Sequence, residues 1–333
     1  MNSKPAQPTA AQHQGRRLIR KLHSYPLNLS IGKILRSSLT ERSGHKLSSL
    51  GRVSPGLFWR RSHLAKKKVM EHLDVIIVGA GISGISAAVH LGKACPERSF
   101  GILERREKIG GTWDLFKYPG IRSDSDMHTL GFSFKPWIAE KAIADGPSIM
   151  QYLHETVDDY QLQESIRFSH KVVAGEWCSA DARWVLTVDQ GEAQIQMSSN
   201  FLFMCSGYYS YDEPYDAPIP GIKSFSGDVV HPQFWPESLD YRGKRVVVIG
   251  SGATAVTIVP SMAQGGAQVT MLQRSPTYMV ARPDQDAIAN FLRKMLPDSW
   301  AYALTRFKNI GLQNFFYKRA RAAPEKVRAQ LLR

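Results

Sequence analysis

Leu73-Asp74-Val75-Ile76-Ile77-Val78-Gly79-Ala80-Gly81-Ile82-Ser83-Gly84 is the stretch on which the fold turns. Four branched apolar residues in a row, Val75 to Val78, read as a strand buried on both faces, as parallel sheets require. The strand stops at Gly79, and Ile82 to Leu91 then reads as a helix. Ser99 to Glu104 reads as the next strand. Between strand and helix the glycines make a tight turn, let the backbone approach a pyrophosphate, and let the helix lie close on the strand. The start of the helix offers free N–H groups and partial positive charge to the phosphates. GxGxxG alone is a weak signal, but a preceding strand and a following helix strengthen it greatly. Glu104 ends the second strand 20 residues beyond Gly84. There a carboxylate can accept from an unphosphorylated adenosine ribose.

The same design recurs once. Lys244 to Ile249 reads as a strand, and Gly250-Ser251-Gly252-Ala253-Thr254-Ala255 is the GxGxxA form of the turn, with Val256 opening the helix body. The next strand, Gln268 to Leu272, leads to Gln273-Arg274-Ser275 instead of an acid. A cation there suits a 2′-phosphate, so this unit should prefer NADPH to NADH; a solvated loop arginine is the alternative. One dinucleotide fold with an acid and one with an arginine imply FAD first and NADPH second. A duplicated NAD-binding module without flavin is the competing explanation at this point.

The chain has 333 residues, which suggests about two domains. Its formal charge of +14 would hint at nucleic acid or an anionic membrane, but residues 1–70 hold 15 Lys/Arg and one acid, and the rest holds 28 of each sign. The folded body is neutral, so nucleic acid is not an expected partner. Residues 1–69, rich in Ser, Lys, Arg, Gln and Pro, read as a disordered basic leader. A disordered tail, an Arg/Ser-rich presequence, or sequence upstream of a start at Met70 would each explain it. Met70 lies directly before the first strand, which favours the last. Cys95, Cys178 and Cys205 are too few and too scattered for a disulfide framework, a zinc site or a CxxC centre, so no metal is expected. They read as reduced thiols of a cytoplasmic protein. No apolar run is long enough for a spanning helix. A peripheral position at the membrane is the alternative to a purely cytoplasmic one.

Three further segments carry a resemblance. Glu107-Lys108-Ile109-Gly110-Gly111-Thr112-Trp113 follows the acid strand, and this GGxW element resembles that of class B flavin-dependent monooxygenases. Tyr118-Pro119-Gly120-Ile121-Arg122-Ser123-Asp124 is similar to the family loop beside the flavin ring. Phe225-Ser226-Gly227-Asp228-Val229-Val230-His231-Pro232-Gln233-Phe234-Trp235-Pro236 matches FxGxxxHxxxWP, the fingerprint of type I Baeyer–Villiger monooxygenases. Five fixed residues at these spacings make it the most specific of the three. Cys205-Ser206-Gly207 resembles the strand end where the chain leaves the FAD domain. The wording of residues 71–74, 118–127 and 250–256 stands nearest to the ethionamide-activating group of the family.

The resemblance implies an α/β fold with two Rossmann-like domains in the glutathione-reductase arrangement, the second incomplete. Residues 70–212 would bind FAD, 213–242 would link, 243–283 would form the first half of the NADPH domain, and 284–333 would be helical. FAD would be held by Gly79, Gly81, Ser83, Gly84, Glu104, Gly111, Thr112, Trp113, Asp114, Leu115, Asp124 and Val172. NADPH would meet Arg122, Ser123, Asp124, Gly250, Ser251, Gly252, Ala253, Thr254, Ala255, Val256, Arg274 and Ser275. Asp124 would help position a catalytic arginine that, in the family, lies beyond Arg333. A turn-capping role is the alternative for Asp124, and an ordinary core position for Val172. His231 is expected to order the hinge between domains instead of acting on substrate. The implied reaction inserts one oxygen atom of O2 into a ketone, giving an ester or lactone, with sulfur in thioethers or thioamides as a second acceptor; by the same resemblance the chain is expected to be C-terminally truncated and the reaction impaired by it. The rival readings are an N- or S-oxidising flavin monooxygenase and an inactive nucleotide-binding fragment.

Overall fold

The computed structural model describes residues 70–215, 217–275, 278–281 and 283–332. The leader expected over 1–69 lies outside them. By internal contacts the chain divides into Met1–Met70 with Val89–Ser99, and Glu71–Ala88 with Phe100–Arg333. In the first unit the described residues are Met70 and the second half of α1 (Ile82–Ala94) with its exit, where Val89, Leu91 and Cys95 are buried. The sheets and the candidate site described below belong to the second unit.

Its main sheet has six strands: β1 (Glu71–Val78), β2 (Phe100–Leu103), β3 (Ile166–Arg167), β4 (Lys171–Cys178), β5 (Arg183–Asp189) and β6 (Gln194–Met204), in the order β3-β2-β1-β6-β5-β4. β1 is central and parallel to both neighbours, with Val75 beside Phe100 on one side and Phe201 on the other. That position explains the unbroken apolar run: Val75, Ile76 and Ile77 are each at most 2% exposed. β6, β5 and β4 continue as an antiparallel meander. Ile76, Leu103, Leu186, Val188 and Met197 form a core across the sheet, and each contributes about 1.5–3 kcal/mol by leaving water.

Between β2 and β3 lie two single-turn helices, α2 (Thr112–Leu115) and α3 (Met127–Leu130), and then α4 (Gly146–Asp159). The sequence of residues 151–165 predicts a helix over that stretch. The observed helix starts earlier because Asp145 caps it, accepting from the Ser148 N–H at 2.8 Å, with Pro147 in the first turn. It ends before the short 3-10 turn Gln163–Ser165.

The second sheet holds β7 (Arg245–Ile249) and β8 (Gln268–Leu272), parallel and joined by α5 (Ala253–Gln264). Val246, Val248 and Val269 face Ile258 and Met262 of α5, while Val247, Ile249 and Leu272 are exposed on the other face. The chain then forms α6 (Ala287–Met295), α7 (Asp298–Ala322) and α8 (Pro324–Leu331), the helical segment expected from 284 onward. Asp286 caps α6 and meets the Lys308 ammonium of α7 at 2.6 Å. Arg306 of α7 donates to the carbonyls of His128 and Thr129, which ties α7 to α3. Among the described residues no helix is long and apolar enough to cross a membrane.

Candidate nucleotide-binding site

The first glycine turn is built by backbone contacts that no side chain could share. Gly79 has φ +104°, donates its N–H to the Leu103 carbonyl at 2.8 Å, and would press a Cβ to 2.6 Å from the Cys205 carbonyl oxygen. A Cβ on Gly84 would fall 1.8 Å from the Gly79 carbonyl oxygen, so the first turn of α1 rests directly on the end of β1. Gly81 abuts Gly111, and the Gly110 N–H donates to the Ala80 carbonyl at 3.0 Å. The GxGxxG turn and the GG element therefore form one continuous floor. Ser83 is exposed at its edge. The first N–H groups of α1 have no acceptor within the helix.

Glu104 is buried at the end of β2. Its carboxylate accepts from the Ala80 N–H at 2.8 Å and from the Arg106 N–H at 3.0 Å. Each carboxylate oxygen keeps a lone pair for a further donor. The acid thus fixes the glycine turn as well as offering itself to a ribose.

Gly111, at φ +56°, caps α2, which carries Thr112, Trp113, Asp114 and Leu115. Asp114 is buried and pairs with Arg106 at 2.5 Å and Lys117 at 3.3 Å, so its carboxylate is committed to cations of the chain itself. Leu115 packs toward α5. Val172 stands beside the sheet core next to a bulge in β4, the position of an ordinary packing valine.

In the following loop Arg122 and Asp124 are exposed while Ser123 is buried. The Ser123 hydroxyl accepts from the Ala144 N–H at 3.2 Å, and its own N–H donates to the Ala144 carbonyl at 2.8 Å. Ser123 therefore fastens the loop that carries its two exposed neighbours.

The second turn is more open. Gly250 has φ +131° and donates to the Leu272 carbonyl at 2.8 Å. Gly252 has ordinary extended backbone, φ −78° and ψ −179°, and a Cβ there would meet nothing within 4 Å. Ala253, Thr254, Ala255 and Val256 open α5, with Ala255 buried. Ser251 donates to the Ser275 carbonyl at 3.4 Å, which brings the loop after β8 to this turn. Arg274 is exposed there.

The fingerprint segment is a connection between the two sheets. His231 caps the 3-10 turn Pro232–Phe234, its Nδ1 accepting from the Gln233 N–H at 3.2 Å. Gln233 is buried and donates to the Ser210 carbonyl, and Trp235 packs against Tyr241 and the α5 core. A surface depression of about 580 Å³ beneath this segment is lined by Asp228, Asp240, Arg242 and Lys244, and neither glycine turn lines it.

Three features escaped the sequence reading. The Arg106–Asp114 pair was hidden because nothing in the sequence joins the two residues, and Asp114 was expected to meet FAD. Tyr211 rests over the guanidinium groups of Arg105 and Arg106, 5.6 Å from each, and its hydroxyl reaches the Gly111 side of the floor. Asp212 pairs with Arg105 and Lys171. Cys205 lies unbridged against the first turn, and burial pushes its thiol up to about 11.

Two parallel strand–glycine–helix units, one followed by an acid and one by an arginine, define an α/β protein built to bind dinucleotides. The family described as "Pyridine nucleotide-disulphide oxidoreductase" matches residues 76–296. The chain belongs to that family, although its three cysteines are separate and free. Among similar proteins, FAD-containing monooxygenase EthA of Mycobacterium tuberculosis (strain ATCC 25618 / H37Rv) is 53% identical over 263 residues, covering 79% of this chain and 54% of that protein. Probable FAD-binding monooxygenase AlmA of Acinetobacter baylyi is 51% identical over 265 residues, covering 79% and 53%. The chain spans about half the length of these relatives. Of solved structures, an oxidized steroid monooxygenase bound to NADP is 29% identical with TM-score 0.59, over 70% of this chain and 43% of that one. OTEMO in complex with FAD and NADP is 30% identical with TM-score 0.53, over 62% and 40%. The monooxygenase resemblance read from the sequence agrees with these relatives.

Proposed function

We propose that the protein is an FAD- and NADPH-dependent monooxygenase that inserts one oxygen atom of O2 into ketones, and that it also oxidises sulfur in thioethers or thioamides. The observation that carries this reading is the joined floor of the first turn, where Gly79, Gly81, Gly84 and Gly111 meet without a side chain and Glu104 stands at the end of β2. That floor fits FAD, because backbone N–H groups at the start of α1 face the place of a pyrophosphate. When bound, the flavin supplies electron transfer from the nicotinamide and activation of O2.

The chain's own part is to bind and orient. Glu104 accepts the ribose hydroxyls, the α1 N-terminus neutralises phosphate charge, and Trp113 covers the cofactor. At the second turn Gly250 and Gly252 admit the phosphates, and Arg274 pairs with the 2′-phosphate. Asp124, exposed on a loop held by Ser123, is free to set a partner cation, and His231 shapes the connection between the sheets. The unbridged thiols fit a cytoplasmic setting.

The test is binding, then products. The purified chain should quench flavin fluorescence on titration, and Arg274→Ala should raise the Michaelis constant for NADPH far more than that for NADH. Incubation with a ketone and a thioether in parallel should yield ester or lactone from the first. Sulfoxide alone would favour an N- or S-oxidising enzyme, and no FAD binding would leave only a nucleotide-fold remnant.

A further inference from the structure

After β6 the chain leaves the sheet through Gly207, at φ +73°, and continues as irregular coil, yet Tyr209, Ser210 and Asp212 are each tied to a different part of the fold. The Tyr209 ring meets the edge of Phe116, just past α2, with ring centres 4.9 Å apart. The Ser210 carbonyl accepts from the buried Gln233 carboxamide of the fingerprint segment. The Asp212 carboxylate pairs with Arg105, just past β2, and with the Lys171 ammonium at the start of β4, the latter at 3.3 Å.

Tyr211 stands between these anchors. Of residues 206–213 it alone is half-buried. Its ring lies over the guanidinium groups of Arg105 and Arg106. Its hydroxyl comes within 3.4 Å of where a Cβ on Gly111 would stand, on the floor that Gly111 shares with Gly81. An irregular segment has no ladder of backbone bonds to hold it, so its side-chain ties decide where it rests. Each ion pair here is partly exposed, and such a pair is worth at most about fivefold in an equilibrium. Several ties of that size hold the segment down and still let it lift.

We propose that residues 209–212 form a strap that closes the FAD site over the joined glycine floor, with Tyr211 as the covering side chain and Asp212 and Gln233 as positioning residues. This rests on the FAD reading given above. It assigns the fingerprint segment a second task, since FxGxxxHxxxWP leaves position 233 open and the Gln233 carboxamide there reaches the strap.

The test loads FAD on the purified chain and follows its release after dilution by the rise of flavin fluorescence, with NADP+ affinity measured alongside. Tyr211→Ala should release FAD about fivefold or more faster than wild type, as truncation of a covering aromatic does. Asp212→Asn and Gln233→Leu should each speed release roughly twofold to fivefold. Added salt should speed release from wild type and Gln233→Leu but much less from Asp212→Asn, because salt screens the ion pairs. Asp212→Glu, which keeps the charge, should keep the salt response. NADP+ affinity should stay at the wild-type value in every variant. Release from Tyr211→Ala at the wild-type rate overturns the inference and leaves the FAD reading standing. Slower release does so too, since the phenol would then compete with the nucleotide for the floor. Equal salt responses in wild type and Asp212→Asn, or a parallel loss of NADP+ affinity, refute a strap specific to FAD. Failure of wild type to bind FAD overturns both readings. Should Gln233→Leu not fold by its melting profile, the Asp212 variants decide.

Discussion

Gly84→Ala is the sharpest perturbation of the first turn, because two opposing effects can be weighed. Alanine favours the helix over glycine by about 0.8–1 kcal/mol. Against this, its Cβ would stand 1.8 Å from the Gly79 oxygen and 3.0 Å from the Gly79 carbonyl carbon. Ordinary contact would require a shift of about 1.5 Å. Gly79 cannot supply it, being held by Leu103 through its N–H and pressed against the Cys205 carbonyl. The helix must move off the strand, at the upper end of the ~1–3 kcal/mol seen for overpacking. The net loss is about 2 kcal/mol, or ~4–8 °C in melting temperature for a body of this size. Gly92→Ala, in the same helix, is the control. That glycine is exposed and a Cβ there meets nothing within 4 Å, so the variant should gain up to about 1 kcal/mol. Thermal melts and urea midpoints measure both, with FAD titration alongside. A Gly84→Ala protein that melts at or above wild type would refute the contact argument, and intact FAD affinity in it would refute the role of the turn.

Gly252→Ala should cost no more than about 1 kcal/mol of stability, the preference for glycine over alanine at an N-cap, and lose NADP+ binding, since within the described chain the added carbon would meet nothing within 4 Å; undiminished NADP+ affinity would count against phosphate approach at that turn. In a variant retaining only Cys205, reaction with a small aromatic disulfide at pH 8 should run about tenfold or more below a free thiol, because burial pushes the pKa up to about 11. A rate that levels off near pH 9 would contradict it. Burial holds His128 below its ordinary value, and its Nε2 has no partner. The unfolded chain therefore takes up protons first as pH falls below about 6.5, and stability drops with it. Urea midpoints from pH 7 to 5.5 should fall more for wild type than for His128→Phe, and parallel curves would remove His128 as the cause.

Elements whose cause is local could be read from the sequence. Val75 to Val78 needed no partner to announce a strand buried on both faces, and both glycine turns sit where strand meets helix. The start of α4 was equally local, with Asp145 and Pro147 in plain view, yet the aromatic loop before it drew the boundary five residues late. What stayed hidden depends on pairs distant in sequence. Asp114 looked like a cofactor contact until Arg106 closed on it. Ser123 looked outward-facing until the Ala144 amide claimed its hydroxyl. A sequence pattern records which residue types occur at a turn; it does not record which of them are already engaged within the chain.

The two glycine turns make this distinction sharp. At the first, the third glycine is forced by the protein: Gly84 meets backbone at a distance no side chain tolerates. At the second, the equivalent position is Ala255, whose methyl group is buried. Gly252 is then the informative residue. Its backbone conformation is open to any amino acid, and a Cβ there would point into free space. Glycine is favoured over alanine at 252 because that residue caps α5, and close approach of a phosphate to the backbone there would be a second reason for it. Where the chain itself fills the space beside a glycine, as at Gly84, the glycine says nothing about ligands; where that space is open, as at Gly252, the NADP+ titration of Gly252→Ala decides between a helix cap alone and a phosphate site.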